Sequence, residues 1–314
     1  MIGYRISDAN LEAAIIAHNA GWSLRAAIAT KACRDAGKFV DQGSIWSDIK
    51  EVYIRLQHEK CCYCERRLAS ERFGKVEHDV EHFRPKARLQ DWFSEDILAD
   101  FPDWPATLSR SGAKDTGYFK LGYDPRNYAT SCKTCNSALK RDLFPVLGTV
   151  RTVGTSPASL ASEKPLLIFP LGEWDELPES LIRFEGITAL PVHAASADLI
   201  RHWRARVTIR FFRLNRNASD ATPNNEEGGR ENIYRERAEV ISSLAKSLDA
   251  LERAIDNPRI RTRHENDIKL LTSAQSPHTN CCRSFLKLWT DDKRAATDLW
   301  LDAGNYLDSQ GLKA

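Results

Sequence analysis

Two pairs of cysteines, each with two residues between its members, are the residues of this sequence best suited to chemistry. The first pair is Cys61 and Cys64, and the second pair is Cys132 and Cys135. Thiolates at this spacing bind one side of a Zn²⁺ ion, and two such pairs complete a closed tetrahedral structural site. The spacing therefore predicts a zinc ion that joins two segments with 67 residues between them.

The other four cysteines lack this arrangement. Cys62 lies within the first pair and is an alternative ligand, although the two-residue spacing favours its outer neighbours. Cys33, Cys281 and Cys282 have no partner at a ligand spacing, so we predict that they are buried thiols. Eight cysteines in a chain without a signal-peptide pattern are typical of reduced thiols, which favours metal binding over a disulfide framework.

A carboxylate and an imidazole lie between the two pairs, at Glu81 and His82, and Asn136 directly follows the last cysteine. A neutral imidazole, with an ordinary pKa of about 6.5, can take a proton from water at physiological pH. Phosphodiester hydrolysis needs such a base together with a divalent cation. Carboxylate and amide oxygens suit Mg²⁺ or Mn²⁺. We therefore predict His82 as the general base, with Glu81 and Asn136 as ligands of a catalytic cation.

The spacing around the second cysteine pair predicts a helix that carries ligands of both the structural zinc and the catalytic cation. On a helix beginning at Cys132, that residue, Asn136 and Lys140 stand four residues apart along one face. The cysteine would anchor the helix to zinc, Asn136 would face the catalytic cation, and Lys140 would lie close to a phosphate. The alternatives are a polar helix-interior residue at position 136 and a solvated cation at position 140.

The elements that must position these residues indicate an α+β protein that is predominantly helical. Residues 1–60 are predicted to be a helical N-terminal segment, with Ser44 as the N-cap of its second helix. Residues 61–145 carry the motifs, with a strand within 76–83 and an inserted, partly helical loop at 87–117.

The remaining residues, 146–314, are predicted to be a mainly helical C-terminal region. A short apolar run at 165–171 predicts a buried strand or extended segment. Helices are expected at about 198–214 and 230–255, and one or two more at 283–307. A surface loop is expected at 218–229.

Composition excludes several classes of protein. The chain of 314 residues is 42% hydrophobic and 28% charged, which is typical of a globular protein with an adequate core. Its formal net charge is +2, so any basic surface for nucleic acid must be local. No run approaches the roughly 18 apolar residues of a membrane span. We expect a cytoplasmic protein that does not enter a membrane.

The motifs together resemble the HNH endonuclease superfamily. The resemblance is carried by Glu81 and His82 within VEHFRPK, by Asn127 within YDPRNY, and by CKTCN followed by Lys140. It implies a ββα-metal hairpin in which His82 is the base and Asn127 is the central asparagine that orients it. Asn136 takes the third position as a metal ligand, and Glu81 takes the place of the acidic ligand. The chain has His-Asn-Asn where the family pattern is His-Asn-His.

A narrower resemblance covers roughly residues 45–285. The strings KCCYCERRL, EHFRPK, SCKTCNSALK and TIRFFRLNR are similar to the HNH nucleases of the Septu and retron anti-phage defence systems, the PtuB-like group. Members of that group form a complex with an ABC-type ATPase, so the resemblance implies such a partner. The insertion at 87–117 is longer than the group leads us to expect.

Two clusters of basic residues accompany these motifs. Arg84, Lys86 and Lys140 are predicted to contact the phosphates of a nucleic acid. A second cluster, interleaved with aromatic residues, lies within 201–216, and it could touch nucleic acid, meet an acidic partner protein or be solvated surface. It consists of Arg201, Arg204, Arg206, Arg210, Arg213 and Arg216.

The sequence thus predicts a metal-dependent HNH endonuclease with a structural zinc and a catalytic Mg²⁺ or Mn²⁺. Its expected substrate is nucleic acid, DNA in preference to RNA, and its expected role is the nuclease effector of an anti-phage defence system. Two alternatives stay open. One is a non-catalytic zinc-knuckle module that binds nucleic acid or a partner protein, and the other is an RNA-directed HNH toxin.

Overall fold

The computed structural model describes residues 1–70, 77–110, 112–216, 232–253 and 257–311. About half of these residues are helical, and they also form two small antiparallel sheets, which agrees with the predicted α+β class. The α-helices are α1 Asp8–His18, α2 Trp22–Ala36, α3 Lys50–Leu56, α4 Glu95–Ala99, α5 Pro178–Leu181, α6 Leu199–Phe211, α7 Ile233–Arg253, α8 Pro258–Leu271, α9 Thr279–Asp291 and α10 Lys293–Ser309. The strands are β1 His78–His82, β2 Tyr128–Cys132, β3 Ile182–Glu185 and β4 Thr188–Pro191.

The N-terminal segment is helical, as predicted, but its second predicted helix begins differently. Ser44 makes no side-chain capping bond, and a 3₁₀ turn at Ile45–Ile49 precedes α3. The indole Nε1 of Trp22 donates to the carbonyl oxygen of Ile45 at 2.8 Å. This bond ties the start of the 3₁₀ turn to α2. A long-range contact therefore alters the helix start that the local pattern predicted.

The hairpin that carries the motifs consists of β1 and β2, paired antiparallel. His78 lies opposite Cys132, and His82 lies opposite Tyr128. The 45 residues between the strands include the insertion, in which α4 confirms the predicted partly helical character. β1 lies within the predicted strand, of which Val76 lies outside the described residues. Every residue of β2 is buried, so this strand is the inner one of the pair.

The helix after β2 is not the one that the sequence predicted. Cys132 is the last residue of the strand, and a π-helix covers Thr134–Lys140. The wide turn shows in the amide of Arg141, which donates to the carbonyl oxygen of Asn136 at 2.8 Å, five residues back. Stacking of Cys132, Asn136 and Lys140 on one helical face is therefore wrong, because the first of them belongs to the strand. Single π turns inside helices are frequent at functional sites.

The C-terminal region is mainly helical, as predicted. The apolar run at 165–171 is buried, and it makes isolated bridges at Pro165 and Leu171 instead of a strand. The β3–β4 hairpin and α8 were not predicted. The expected loop at 218–229 lies outside the described residues. None of the described helices is long and apolar enough to cross a membrane.

The C-terminal helices pack directly on the first cysteine pair. The ammonium of Lys60 donates to the carbonyl oxygen of Ser276 at 2.8 Å, and the amide of His278 donates to that of Glu65 at 3.2 Å. The buried apolar residues form one continuous cluster across all three predicted segments. The boundaries at 60/61 and 145/146 therefore stay predictions.

Candidate metal centre and histidine site

The four cysteines predicted to bind zinc converge on one buried point. Cys61 and Cys64 lie in the turn after α3, Cys132 ends β2, and Cys135 lies in the π-helix. Their sulfur atoms all lie within 4.8 Å of one another. The Sγ atoms of Cys64 and Cys132 are 3.9 Å apart, close to the ~3.8 Å that a tetrahedral site with Zn–S bonds of about 2.3 Å requires. The donor set and its spacing fit a structural zinc ion.

The remaining cysteines stay outside this cluster. Cys62 is buried, and burial raises the pKa of its thiol well above the usual value. Cys33, Cys281 and Cys282 are buried thiols, as predicted. The choice of the two outer cysteines of the first pair over the inner one is therefore confirmed by the geometry.

A buried glutamine joins the first cysteine pair to the hairpin, and the sequence analysis did not find it. The side-chain amide of Gln57 donates to the carbonyl oxygen of Thr130 at 2.7 Å and accepts from the amide of the same residue at 2.8 Å. It also donates to the carbonyl oxygen of Lys60 at 3.1 Å. Gln57 therefore bonds β2 at Thr130 as a neighbouring strand would, and the amide of Cys62 donates to the same carbonyl oxygen at 3.1 Å. Its position at the end of a helix gave no signal of this role.

His82 lies at the end of β1, nearly buried, with one ring nitrogen in use. Its Nε2 atom lies 3.1 Å from the carbonyl oxygen of Gly122. A carbonyl only accepts, so Nε2 carries the proton and Nδ1 keeps its lone pair. Trp46 and Tyr128 meet the imidazole edge to face, with ring centroids 4.9 and 4.8 Å away. These contacts fix the ring and leave one basic nitrogen.

The surroundings keep this imidazole neutral. Burial lowers the pKa of His82 well below its usual value, and the ammonium of Lys86 lowers it further, whereas the bond to Gly122 acts in the opposite direction. Lys86 is held over the rings of Trp46 and Phe39, with its Nζ 4.5 and 5.5 Å from their centroids. A neutral histidine with a free Nδ1 can accept a proton from water.

Asn127 makes no hydrogen bond to His82 but fixes the backbone that holds it. Its Oδ1 accepts from the amide of Arg84 at 2.9 Å, and its Nδ2 donates to the carbonyl oxygens of Arg84 and Leu121 at 2.9 and 3.3 Å. Leu121 directly precedes Gly122, the acceptor of the His82 bond. Asn127 is thus a positioning residue that acts through the backbone.

Glu81 points to the other face of the strand, into the protein. Adjacent residues of a strand alternate between faces, so Glu81 and His82 diverge. The Oε1 of Glu81 lies 3.4 Å from the ammonium of Lys140 and accepts from the hydroxyl of Tyr63 at 3.4 Å. Burial raises the pKa of Glu81 to about 7, although Lys140 acts in the opposite direction. A carboxylate predicted to bind a metal is paired here with a buried lysine.

Asn136 meets a different carboxylate. Its Nδ2 lies 3.4 Å from the Oδ2 of Asp79, which also accepts from the hydroxyl of Ser137 at 3.3 Å. Asp79 lies two residues before Glu81 in β1 and therefore shares its face. The sequence analysis missed Asp79, although the alternation of β1 could have placed it beside Glu81. The oxygen-bearing side chains on this face are Asp79, Glu81 and Asn136.

The three predicted phosphate-binding residues differ in accessibility. Arg84 is buried and its Nε donates to the carboxylate of Glu163 at 3.3 Å, and Lys140 is fully buried against Glu81. Lys86 alone of the three keeps a partly exposed side chain. A phosphate would have to displace a buried carboxylate to reach either of the other two cations.

Among the described residues, the four cysteines are the only group of three or more His, Cys, Asp or Glu side chains that could hold a metal ion. A scan against protein-family models finds no match, and searches of curated proteins and of solved structures find none either. No family or relative therefore indicates the function of this chain, and the proposal below depends on its residues and their geometry.

Proposed function

We propose that this protein is a metal-dependent HNH-type endonuclease that hydrolyses phosphodiester bonds, in DNA in preference to RNA. The observation that carries the proposal is the His82–Gly122 bond at the end of a β-hairpin that a four-cysteine cluster anchors. A histidine in this setting is neutral, fixed in orientation and keeps one basic nitrogen. The effector role in anti-phage defence and the ATPase partner are parts of the proposal that rest on sequence resemblance alone.

In the proposed reaction His82 removes a proton from the attacking water through Nδ1. The carbonyl of Gly122 holds the opposite nitrogen, and Tyr128 donates its hydroxyl to the same carbonyl oxygen at 2.7 Å. Asn127 keeps that segment in place through Leu121. Because the ring is held on both sides, little orientational freedom is lost when water binds.

The catalytic cation of the proposal is Mg²⁺ or Mn²⁺. Its ligands would be Glu81 and Asn136, with Asp79 as a third oxygen donor. This set of hard oxygen atoms suits these ions. To serve the same phosphate as His82, Glu81 would have to leave Lys140 and turn towards the end of β1. When bound, the cation would stabilise negative charge on the phosphate and on the leaving oxygen. The zinc held by the four cysteines would contribute folding energy only.

The test is cleavage of plasmid DNA and of total RNA in Mg²⁺ by three proteins. These are the wild type, His82→Gln and His78→Gln. Both histidines lie on the same face of β1, and both use Nε2 towards a carbonyl, His78 at 2.9 Å from Ala69. Glutamine can keep that bond but cannot act as a base. We expect His82→Gln to lose about 10²- to 10⁴-fold in rate and His78→Gln to keep it.

Full activity in His82→Gln would refute the assignment of the base. If the wild type cuts neither substrate, alone or with an ATPase partner, the enzyme proposal fails. The substrate that is cut would decide between DNA and RNA.

A second candidate function is a non-catalytic zinc module, and the Glu81–Lys140 pair is the observation that favours it. A buried ammonium already supplies the positive charge that a metal would bring to Glu81. Titration with Mn²⁺, followed by its electron paramagnetic resonance signal, separates the two functions. The nuclease should bind Mn²⁺ in a manner that Glu81→Gln weakens, whereas the module should show no such site.

A further inference from the structure

A basic cavity of about 570 Å³ lies beside the C-terminal end of α6, away from His82. We propose that it binds a phosphate group of the nucleic-acid backbone. Four arginines and one aspartate line it, together with apolar residues of α6, β4 and the 87–117 insertion. The arginines are Arg206, Arg210, Arg213 and Arg216. No residue of the His82 site is among its lining residues.

Two of these arginines are held in place by the insertion. Arg206 and Arg210 form ion pairs with Asp103 and Asp100, which follow α4. The guanidinium of Arg206 also lies over the ring of Trp203, 4.5 Å from its centroid. Stacking and ion pairing hold these guanidinium groups beside the cavity. Their aspartate partners are exposed, unlike the buried partners of Arg84 and Lys140, so a phosphate can displace them at little cost.

Arg213 is the unusual member of the group. Its φ of 44° lies in the left-handed region that favours glycine, and the amide of Leu214 donates to the carbonyl oxygen of Ile209 at 2.9 Å. This is the C-terminal turn of a helix in which glycine is the preferred residue. The side chain of Arg213 is exposed and, within the described part of the chain, no carboxylate forms an ion pair with it. An arginine at this position has a strained backbone conformation, and its guanidinium group is accessible to a ligand.

The chemistry of the cavity favours phosphate over other anions. Guanidinium groups bind phosphate oxygens through two parallel hydrogen bonds. Phe101 and Ile209 give the same cavity an apolar wall, against which a sugar or base can pack. Its concave shape also suits a single nucleotide unit better than the flat surface of a protein partner.

The inference deepens the proposed function and rests on it for the identity of the ligand, a strand of nucleic acid. Cleavage and binding are nevertheless separable. Binding can be measured in a His82→Gln background without divalent cations, so loss of activity does not affect the result. Failure of the nuclease proposal and failure of this inference would therefore be seen in different experiments.

The experiment uses fluorescence anisotropy of a labelled single-stranded oligonucleotide with the full-length protein. The variant is Arg213→Gly, which removes the guanidinium and relieves the backbone at the same time. Lys164→Gly is the matched control, because Lys164 is also an exposed cation with positive φ, at 49°, and lies outside this cavity. Melting temperatures are measured for both variants.

We expect Arg213→Gly to bind about fivefold more weakly, the size of one partly exposed charged contact, and to lower the salt dependence by about one ion. Its melting temperature should be unchanged or higher. Lys164→Gly should bind as the starting protein does. Competition by a mononucleotide, with the same dependence on Arg213, would identify the ligand as a free phosphate compound rather than a strand.

Three results would overturn the proposal. The first is equal binding by Arg213→Gly and the starting protein, and the second is an equal loss in both glycine variants. The third is competition by polyglutamate that depends on Arg213 as strongly as competition by unlabelled oligonucleotide does. That result would mean that the cavity recognises acidic protein.

Discussion

Removal of one of the four clustered cysteines, by Cys135→Ala, is the perturbation whose effect follows most directly from this structure. The four sulfur atoms lie within 4.8 Å of one another, and they join the turn after α3 to the end of β2 and the π-helix. Without a full ligand set the metal is lost or held weakly. The link between the two halves of the motif region is then broken.

The magnitude follows from the length of chain that the metal closes. With 67 residues between the pairs, the closure entropy of a cross-link of this length corresponds to about 4 kcal/mol at 25 °C. For a chain of 314 residues that melts cooperatively, the entropy of unfolding is about 0.66 kcal/mol/K. The expected fall in melting temperature is therefore about 6 °C, and larger if the motif region melts alone.

The assay combines zinc content, measured by mass spectrometry of the metal, with thermal unfolding. The wild type should carry one zinc per chain, and Cys135→Ala should carry much less. Cys62→Ala is the matched control, because this cysteine is buried beside the cluster but is not one of its four members. It should keep its zinc.

One result would refute the reasoning outright. If Cys135→Ala keeps one zinc per chain and melts within about 1 °C of the wild type, the four cysteines do not form the proposed site. If instead Cys62→Ala loses the metal as well, the ligand set is different from the one that the geometry selects.

Two further predictions concern the buried polar contacts of the site. Asn127→Ala should destabilise the fold by about 2–4 kcal/mol, because three buried backbone groups lose their partner, and chemical denaturation measures this; a loss below about 0.5 kcal/mol would contradict the positioning role. Lys140→Met should cost about 3 kcal/mol and Glu81→Gln a similar amount, whereas the double variant should lose less than the sum by at least about 1 kcal/mol. Strict additivity in that cycle would show that the two side chains do not act as a pair.

Two of the predicted phosphate-binding residues are paired with buried carboxylates, and the sequence did not reveal these partners. Arg84 closely follows His82 in the sequence and Lys140 closely follows Asn136, so both were predicted to meet phosphate. Their burial against Glu163 and Glu81 depends on residues 79 and 59 positions away. Charge alone indicates that a cation needs a partner, but it does not identify that partner.

Short sequence patterns were sufficient to predict the features that depend only on neighbouring residues. The Cys-x-x-Cys spacing selected the four clustered cysteines, and the helices expected at about 198–214 and 230–255 correspond to α6 and α7. The strand ending at His82 was also predicted, because alternation over a few residues is a property of the chain itself. These features depend on the number of residues between side chains along the sequence, which does not change with the tertiary structure.

The tertiary structure decided the rest. The pairing of Glu81 with Lys140 and the pairing of Asn136 with Asp79 both arise from contacts between segments that are distant in the sequence. The same holds for the Gly122 carbonyl, which selects the proton-bearing nitrogen of His82 from 40 residues away. The sequence by itself determined which chemical groups are present and how the four clustered cysteines are spaced. Only the packing of the chain decided which groups face each other, because a side chain's partner is set by three-dimensional proximity.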